Sequence, residues 1–165
     1  MNEAIKYSDT CPFCSPKTQQ DAFASSGNVL AIYNKAPILP GHTLIIPIEH
    51  AESLRSLPDD LITEFFLFAR EVTETLLSYY HANAFDWSIQ DNEAAGQTIP
   101  HLHLHIVVRH PADLPNPGDW YPLLDAREKS GSEVRPRLRA SEYTKITEQL
   151  RSAYNSRGKL GDIRK

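Results

Sequence analysis

The sequence predicts an α+β fold, an antiparallel sheet with a long helix packed on it, and three observations carry that expectation. Short apolar runs bounded by turn residues recur over 28–48 and 85–108, as in hairpin-linked strands. Between them, residues 58–80 repeat apolar side chains at intervals of three and four. The run Pro100-His101-Leu102-His103-Leu104-His105-Ile106-Val107-Val108 sets a histidine at every second position, the period of a strand with two unlike faces. The order strand pair, helix, further strands, helix places the helices on one side of the sheet.

Composition narrows the function classes. At 165 residues, with 41% apolar and 23% charged residues, the chain is one domain with a sizeable core. No apolar run reaches the length of a membrane span, and the N-terminus lacks the apolar core of a signal peptide. A formal net charge of −4 argues against broad electrostatic binding of nucleic acid. The only cysteines, Cys11 and Cys14, are too close together to staple a fold. Together these features point to the cytoplasm.

Taken in order, residues 1–27 form a short polar segment that holds Cys11-Pro12-Phe13-Cys14. Asn28–Asn34 and His42–Ile48 are expected as an antiparallel strand pair around the turn Pro37-Ile38-Leu39-Pro40-Gly41. Pro58-Asp59-Asp60 opens a helix, because proline and acids suit the free N–H groups of a first turn. Its core stripe is Ile62, Phe65, Phe66, Ala69, Val72, Thr73, Leu76, Leu77 and Tyr80. Phe85–Gln90 is a third strand, and the loop Asp91–Gly96 leads into the histidine run. The proline-rich stretch 110–139 reads as a long excursion through Trp120-Tyr121, with room for one short helix. The catalytic domain thus spans 1–140, and 141–165 forms a C-terminal helix with a basic, solvated tail.

On a strand, His101, His103 and His105 share one face at spacings of about 6–7 Å, while Leu102, Leu104 and Ile106 enter the core. Each imidazole brings two nitrogens that need partners, so three in register are poorly explained by packing. The loop 91–96, with Gln90, Gln97 and Thr98, can form an anion-binding concavity from backbone N–H groups and side chains. Imidazole is a good nucleophile towards activated phosphorus, and His103 has a histidine on either side to fix its tautomer. A phosphoryl- or nucleotidyl-histidine is the leading expectation, and a proton relay the weaker one.

Gln97-Thr98-Ile99-Pro100-His101-Leu102-His103-Leu104-His105-Ile106-Val107 resembles the histidine triad motif, in which three histidines alternate with apolar residues. Gln90–Gly96 and Asn34–Leu44 look like the fragile histidine triad branch of that family, and the likeness runs from about Asn28 to Arg109. The resemblance implies a hydrolase that cleaves dinucleoside polyphosphates at an α-phosphate and releases a nucleoside monophosphate. It implies His103 as nucleophile, His105 and His101 as its supports, and Gln90 and Thr98 at the phosphate with Gly96 and Gln97 beside them. It further implies Asn34 at the ribose, His42 and Leu44 along the nucleotide cleft, and a homodimer whose sheets join across the two-fold axis. Cleavage of nucleoside phosphoramidates or acyl-adenylates is the second enzymatic expectation. A nucleotide-binding signalling module with little turnover is a third, from another class.

Cys11 and Cys14 are spaced as a redox pair or as half of a zinc site. Redox chemistry is the weaker reading, because no buried strand precedes the motif. Some members of the resembled family bind zinc through a cysteine pair, a later histidine and the first triad histidine. Here these are Cys11, Cys14, His50 and His101. That leaves His101 with two competing tasks, a zinc ligand or an orienting partner of His103.

Overall fold

The computed structural model describes residues 10–129 and 137–161. Among these, five strands form one antiparallel sheet: β1 (Ala24–Ser26), β2 (Val29–Tyr33), β3 (Thr43–Pro47), β4 (Ala84–Ile89) and β5 (Leu104–Arg109). Their spatial order is β1-β2-β3-β5-β4, which puts the histidine strand between two others. The helices are α1 (Pro16–Asp21), α2 (Asp59–Tyr80), α3 (Trp120–Lys129) and α4 (Ala140–Gly161). This is the expected α+β arrangement of an antiparallel sheet with a long helix on it.

The sheet has two unlike faces. Val29, Ala31, Tyr33, Ile45, Leu104, Ile106 and Val108 form the main core with Phe65, Ala69, Val72 and Leu76 of α2 and with Tyr143 and Leu150 of α4. Leu30, Ile32, Leu44 and Ile46 form a second, smaller apolar cluster with Phe13 packed against it. The N-terminal segment therefore covers part of the face that the two long helices leave open.

Four details depart from the sequence reading. Ladder pairing in β5 starts at Leu104, after two of the three histidines. The backbone N–H of Leu102 donates to the carbonyl of Ala51 instead of a neighbouring strand, so the first two histidines lie on an extended approach. Phe68, outside the expected stripe, is fully buried, because α4 adds a second partner to α2; its ring meets Tyr154 at 6.2 Å. β1 and α1 were not anticipated. A three-residue Ala-Ser-Ser strand carries no β-branched signal, and a six-residue helix has no room for periodicity.

The helix start at Asp59 and the turn before β3 follow their local chemistry. Gly41 has φ +92°, and a Cβ there would come within 3.0 Å of Val108 Cγ2 and 3.2 Å of Tyr80, so the turn needs glycine. At the other end of the chain, α4 is tied to the body. Arg151 donates to the Ala22 carbonyl at 2.8 Å, and Arg157 donates to the Glu74 carbonyl at 3.0 Å. Arg164 and Lys165 of the basic tail lie outside the described residues. Among the described residues, no helix is long and apolar enough to cross a membrane.

Arg109 anchors the excursion that follows β5. Its Nε and Nη2 donate to the two Asp113 oxygens at 2.9 Å each, and Nη1 donates to Asp86 and to the Pro117 carbonyl at 2.7 Å each. The Arg109 guanidinium holds the Asp113 carboxyl down at about 2. A depressed carboxyl pKa contributes stability above its unfolded value, near 3.9, and that contribution disappears as pH falls towards 2. Asp113→Asn is accordingly expected to cost about 1–3 kcal/mol at pH 7 in urea unfolding. The gap to the parent protein should close on acidification from pH 4 towards 2.

Candidate active site and cysteine-histidine cluster

The histidines sit where the open sheet face meets the N-terminal segment. The register places His105 opposite Leu44 and Leu44 opposite Ile32, so one rung runs from β5 across β3 to β2. Above it lies a cleft of about 450 Å³, lined by His103, His105, Thr98, Asn34, Leu44, Ile32 and Phe13 among others. Leu44 and Ile32 make its floor. Phe13 overhangs it, with ring centroids 5.6 Å from His101 and 5.5 Å from His103.

His103 is 3% exposed, and its Nδ1 lies 2.7 Å from the backbone carbonyl of His101. A carbonyl only accepts, so Nδ1 carries the proton and Nε2 keeps its lone pair. Burial pushes the His103 pKa below 6.5, against the carbonyl bond, which favours the cation. The ring is therefore neutral at neutral pH. It is oriented by the main chain of His101, not by that residue's imidazole.

A second chain of donors fixes His105. The Ile38 N–H donates to His42 Nδ1 at 3.2 Å, which leaves the proton of neutral His42 on Nε2. That nitrogen lies 3.0 Å from His105 Nδ1, to which it donates. His105 then carries its own proton on Nε2. His42, one residue before β3, is fully buried beside His105 and does not line the cleft as expected, because its ring turns to His105. Asn34 does line the cleft, and its Oδ1 also accepts the Ala36 N–H at 2.9 Å in a turn that ends β2.

The loop before the histidines is built differently from the expected anion cradle. The N–H groups of Ala95, Gly96 and Gln97 donate to loop carbonyls, and the Asn92 N–H donates to Gln97 Oε1 at 2.8 Å. Gln97 Nε2 in turn donates to the Glu52 carbonyl at 2.9 Å. Gln97 is thus a strut that closes the loop. Gly96, at φ +94°, ends the short turn Glu93–Ala95 and lines an adjacent hollow with Gln97, Thr98 and Asp125. Gln90 is buried, its Nε2 donates to Ser88 Oγ at 2.6 Å, and its Oε1 has no hydrogen-bond partner among the described residues. Of the polar residues expected around the phosphate, Thr98 is the one the fold brings into the cleft with His103.

Cys11, Cys14, His50 and His101 converge with all four ligand atoms within 4.8 Å of one another, an arrangement compatible with a metal site. His101 Nδ1 lies 3.4 Å from Cys11 Sγ and 3.6 Å from Cys14 Sγ, and His50 Nδ1 lies 3.3 Å from Cys14 Sγ. His101 Nε2 donates to the Pro47 carbonyl at 3.0 Å, so its Nδ1 lone pair faces the sulfurs. Burial lowers the His101 pKa to about 4 and pushes the Cys11 thiol up. Sequence reasoning missed the overhang of Phe13 and the placement of Tyr143 from α4 in the cleft lining. The alternation of Cys-Pro-Phe-Cys held a clue to the first. No local pattern marked the second.

The HIT domain model matches residues 15–112. A bis(5'-adenosyl)-triphosphatase from Dictyostelium discoideum is 28% identical over 127 residues, covering 72% of this chain and 85% of that protein. An asymmetrical bis(5'-nucleosyl)-tetraphosphatase from Schizosaccharomyces pombe is 38% identical over 98 residues, covering 59% of this chain. The matched part spans 54% of the fission-yeast protein's own length. Among solved structures, a zinc-bound histidine triad family protein from Mycobacterium smegmatis shares the fold with a TM-score of 0.62 at 23% identity. That likeness covers 89% of this chain and 96% of the other. On the histidine motif, the sheet and this match, the chain belongs to the HIT domain family.

Proposed function

We propose that the protein hydrolyses dinucleoside polyphosphates, such as diadenosine tri- or tetraphosphate, through a nucleotidyl-histidine on His103. One observation carries this: a neutral, buried His103 whose Nδ1–H is committed to a backbone carbonyl, which leaves Nε2 as the nucleophilic atom at the cleft. Nε2 attacks the α-phosphorus, the bond to the bridging oxygen breaks, and the remaining nucleoside polyphosphate leaves. Water then cleaves the phosphorus–nitrogen bond, giving the nucleoside monophosphate and returning the imidazole. His105, held by His42, presents its Nε2–H to the phosphate or leaving oxygen. Thr98 contributes at the phosphate, Asn34 at the ribose, and Leu44 and Ile32 under the base. The names of the relatives favour the same substrate class.

Product analysis with diadenosine triphosphate tests the reading: AMP and ADP are expected, and an absence of turnover with this and the tetraphosphate would overturn it. The pH profile follows from the same geometry. Because neutral His103 is the reactive form and its pKa is lowered, the acid limb of kcat/KM should have its half-point below pH 6.5. A half-point above pH 6.5 would contradict a desolvated nucleophile.

The cysteine-histidine cluster is proposed as a structural zinc site. Tetrahedral zinc with sulfur at about 2.3 Å and nitrogen at about 2.0–2.1 Å separates adjacent S and N ligands by about 3.5 Å. Three of the four sulfur–nitrogen separations here are 3.3–3.6 Å, and all four ligand atoms lie within 4.8 Å of one another. Cys11, Cys14, His50 and His101 would hold the ion, whose contribution is to fix the N-terminal segment and the approach to β5. We also propose a homodimer. β4 is an outer strand of the sheet, and Phe85 upon it is 44% exposed while Leu67 of α2 is 50% exposed. Thiols kept reduced for metal binding favour a cytoplasmic location.

A further inference from the structure

We propose that Asp21, aimed by Lys35, reads an exocyclic amino group on the base and so sets which nucleosides the cleft accepts. This rests on the cleft being a nucleotide site. The rung from His105 through Leu44 to Ile32 crosses two strand spacings, about 10 Å, the distance from a bound phosphate across the ribose to a base. A base lying on Leu44 and Ile32 beneath Phe13 directs its far edge towards α1 and the residues after β2. There the cleft wall changes from apolar to charged, with Lys17, Asp21 and Lys35 in its lining.

Asp21 is held in a way that suits this task. Its side chain is 16% exposed, and Oδ2 lies 3.1 Å from Lys35 Nζ. Lys35 is in turn placed over the Tyr143 ring, 5.2 Å from its centroid. The other oxygen, Oδ1, lies 3.3 Å from Lys17, whose side chain is 74% exposed. An exposed pair of that kind contributes little and yields readily to a better donor. A base amino group can therefore replace Lys17 at Oδ1 while Lys35 keeps the carboxylate in place from the side of Oδ2. A carboxylate accepts only, so it favours an amino-bearing edge and repels a carbonyl in the same place. Tyr143 lies outside residues 15–112, so this rim draws on a part of the chain beyond the family's common core.

The test compares equilibrium binding of AMP, GMP and IMP to the intact, metal-replete protein by calorimetry. Hypoxanthine has no amino group at either purine position, so IMP should bind at least about tenfold more weakly than the better of AMP and GMP. In Asp21→Asn, whose amide can donate to a carbonyl, the ratio should shrink to within about twofold. Asp21→Ser supplies the same ratio should the amide variant not fold. IMP binding as well as AMP and GMP, or a ratio unchanged in the variants, would overturn the assignment alone. Failure of all three nucleotides to bind would remove the nucleotide reading and this one with it.

Discussion

His103→Asn should lower turnover of diadenosine triphosphate by at least about 10⁴-fold, while AMP affinity stays within about threefold of the parent. The two halves follow from separate parts of the site. Turnover needs Nε2 and its lone pair, and asparagine offers no nucleophile there. Affinity rests on Leu44, Ile32, Phe13 and Asn34, which the substitution leaves in the cleft lining, although Phe13 loses its edge contact with the imidazole. The asparagine amide can also keep a donor towards the His101 carbonyl, which is the bond that orients the ring. A rapid-quench search for a nucleotidyl-enzyme provides the matching positive result in the parent protein. Undiminished turnover by the variant would rule out His103 as nucleophile.

Cys14→Ser should abolish stoichiometric zinc and lower the melting temperature by about 10 °C. Cys14 Sγ lies 3.3 Å from His50 Nδ1 and 3.6 Å from His101 Nδ1, so its loss opens the cluster at two edges. A site occupied at roughly 100–1,000 times its dissociation constant contributes about 3–4 kcal/mol to folding, which in a chain of this size corresponds to a shift on that order. Metal analysis alongside calorimetry checks both. A parent protein purified without chelator yet carrying clearly less than one zinc per chain would remove the zinc assignment.

The architecture was legible because its signals are periodic. The three-four repeat of α2 is a physical consequence of burying one face, and the two-residue repeat of β5 follows from two buried faces of unlike chemistry. The histidines were equally visible, since chemistry placed on a strand must repeat at the strand's own period. What escaped notice had no period to display. β1 exists through its pairing with β2, and Phe68 is buried because α4, more than seventy residues later, lies against it. In the site, residue type was readable but the partner was not. Gln97 looked like a phosphate ligand and instead braces the loop against Glu52, while the group that orients His103 is a carbonyl, which any residue at 101 would supply. The two tasks weighed for His101 fall to different parts of the residue: its main chain holds the His103 ring and its side chain turns to the cysteines.

Phe13 stands between two cysteines and above two histidines, so one short loop serves the cluster on one side and the cleft on the other. With an ion and a nucleotide in the two proposed sites, metal retention and nucleotide occupancy would be two ends of one equilibrium. Whatever factor the bound ion adds to AMP affinity by holding the phenyl ring in place, bound AMP must return to the ion's affinity. A chelator titration run with and without AMP would measure that factor from the metal's side, and an AMP titration of stripped and reloaded protein would measure it from the other.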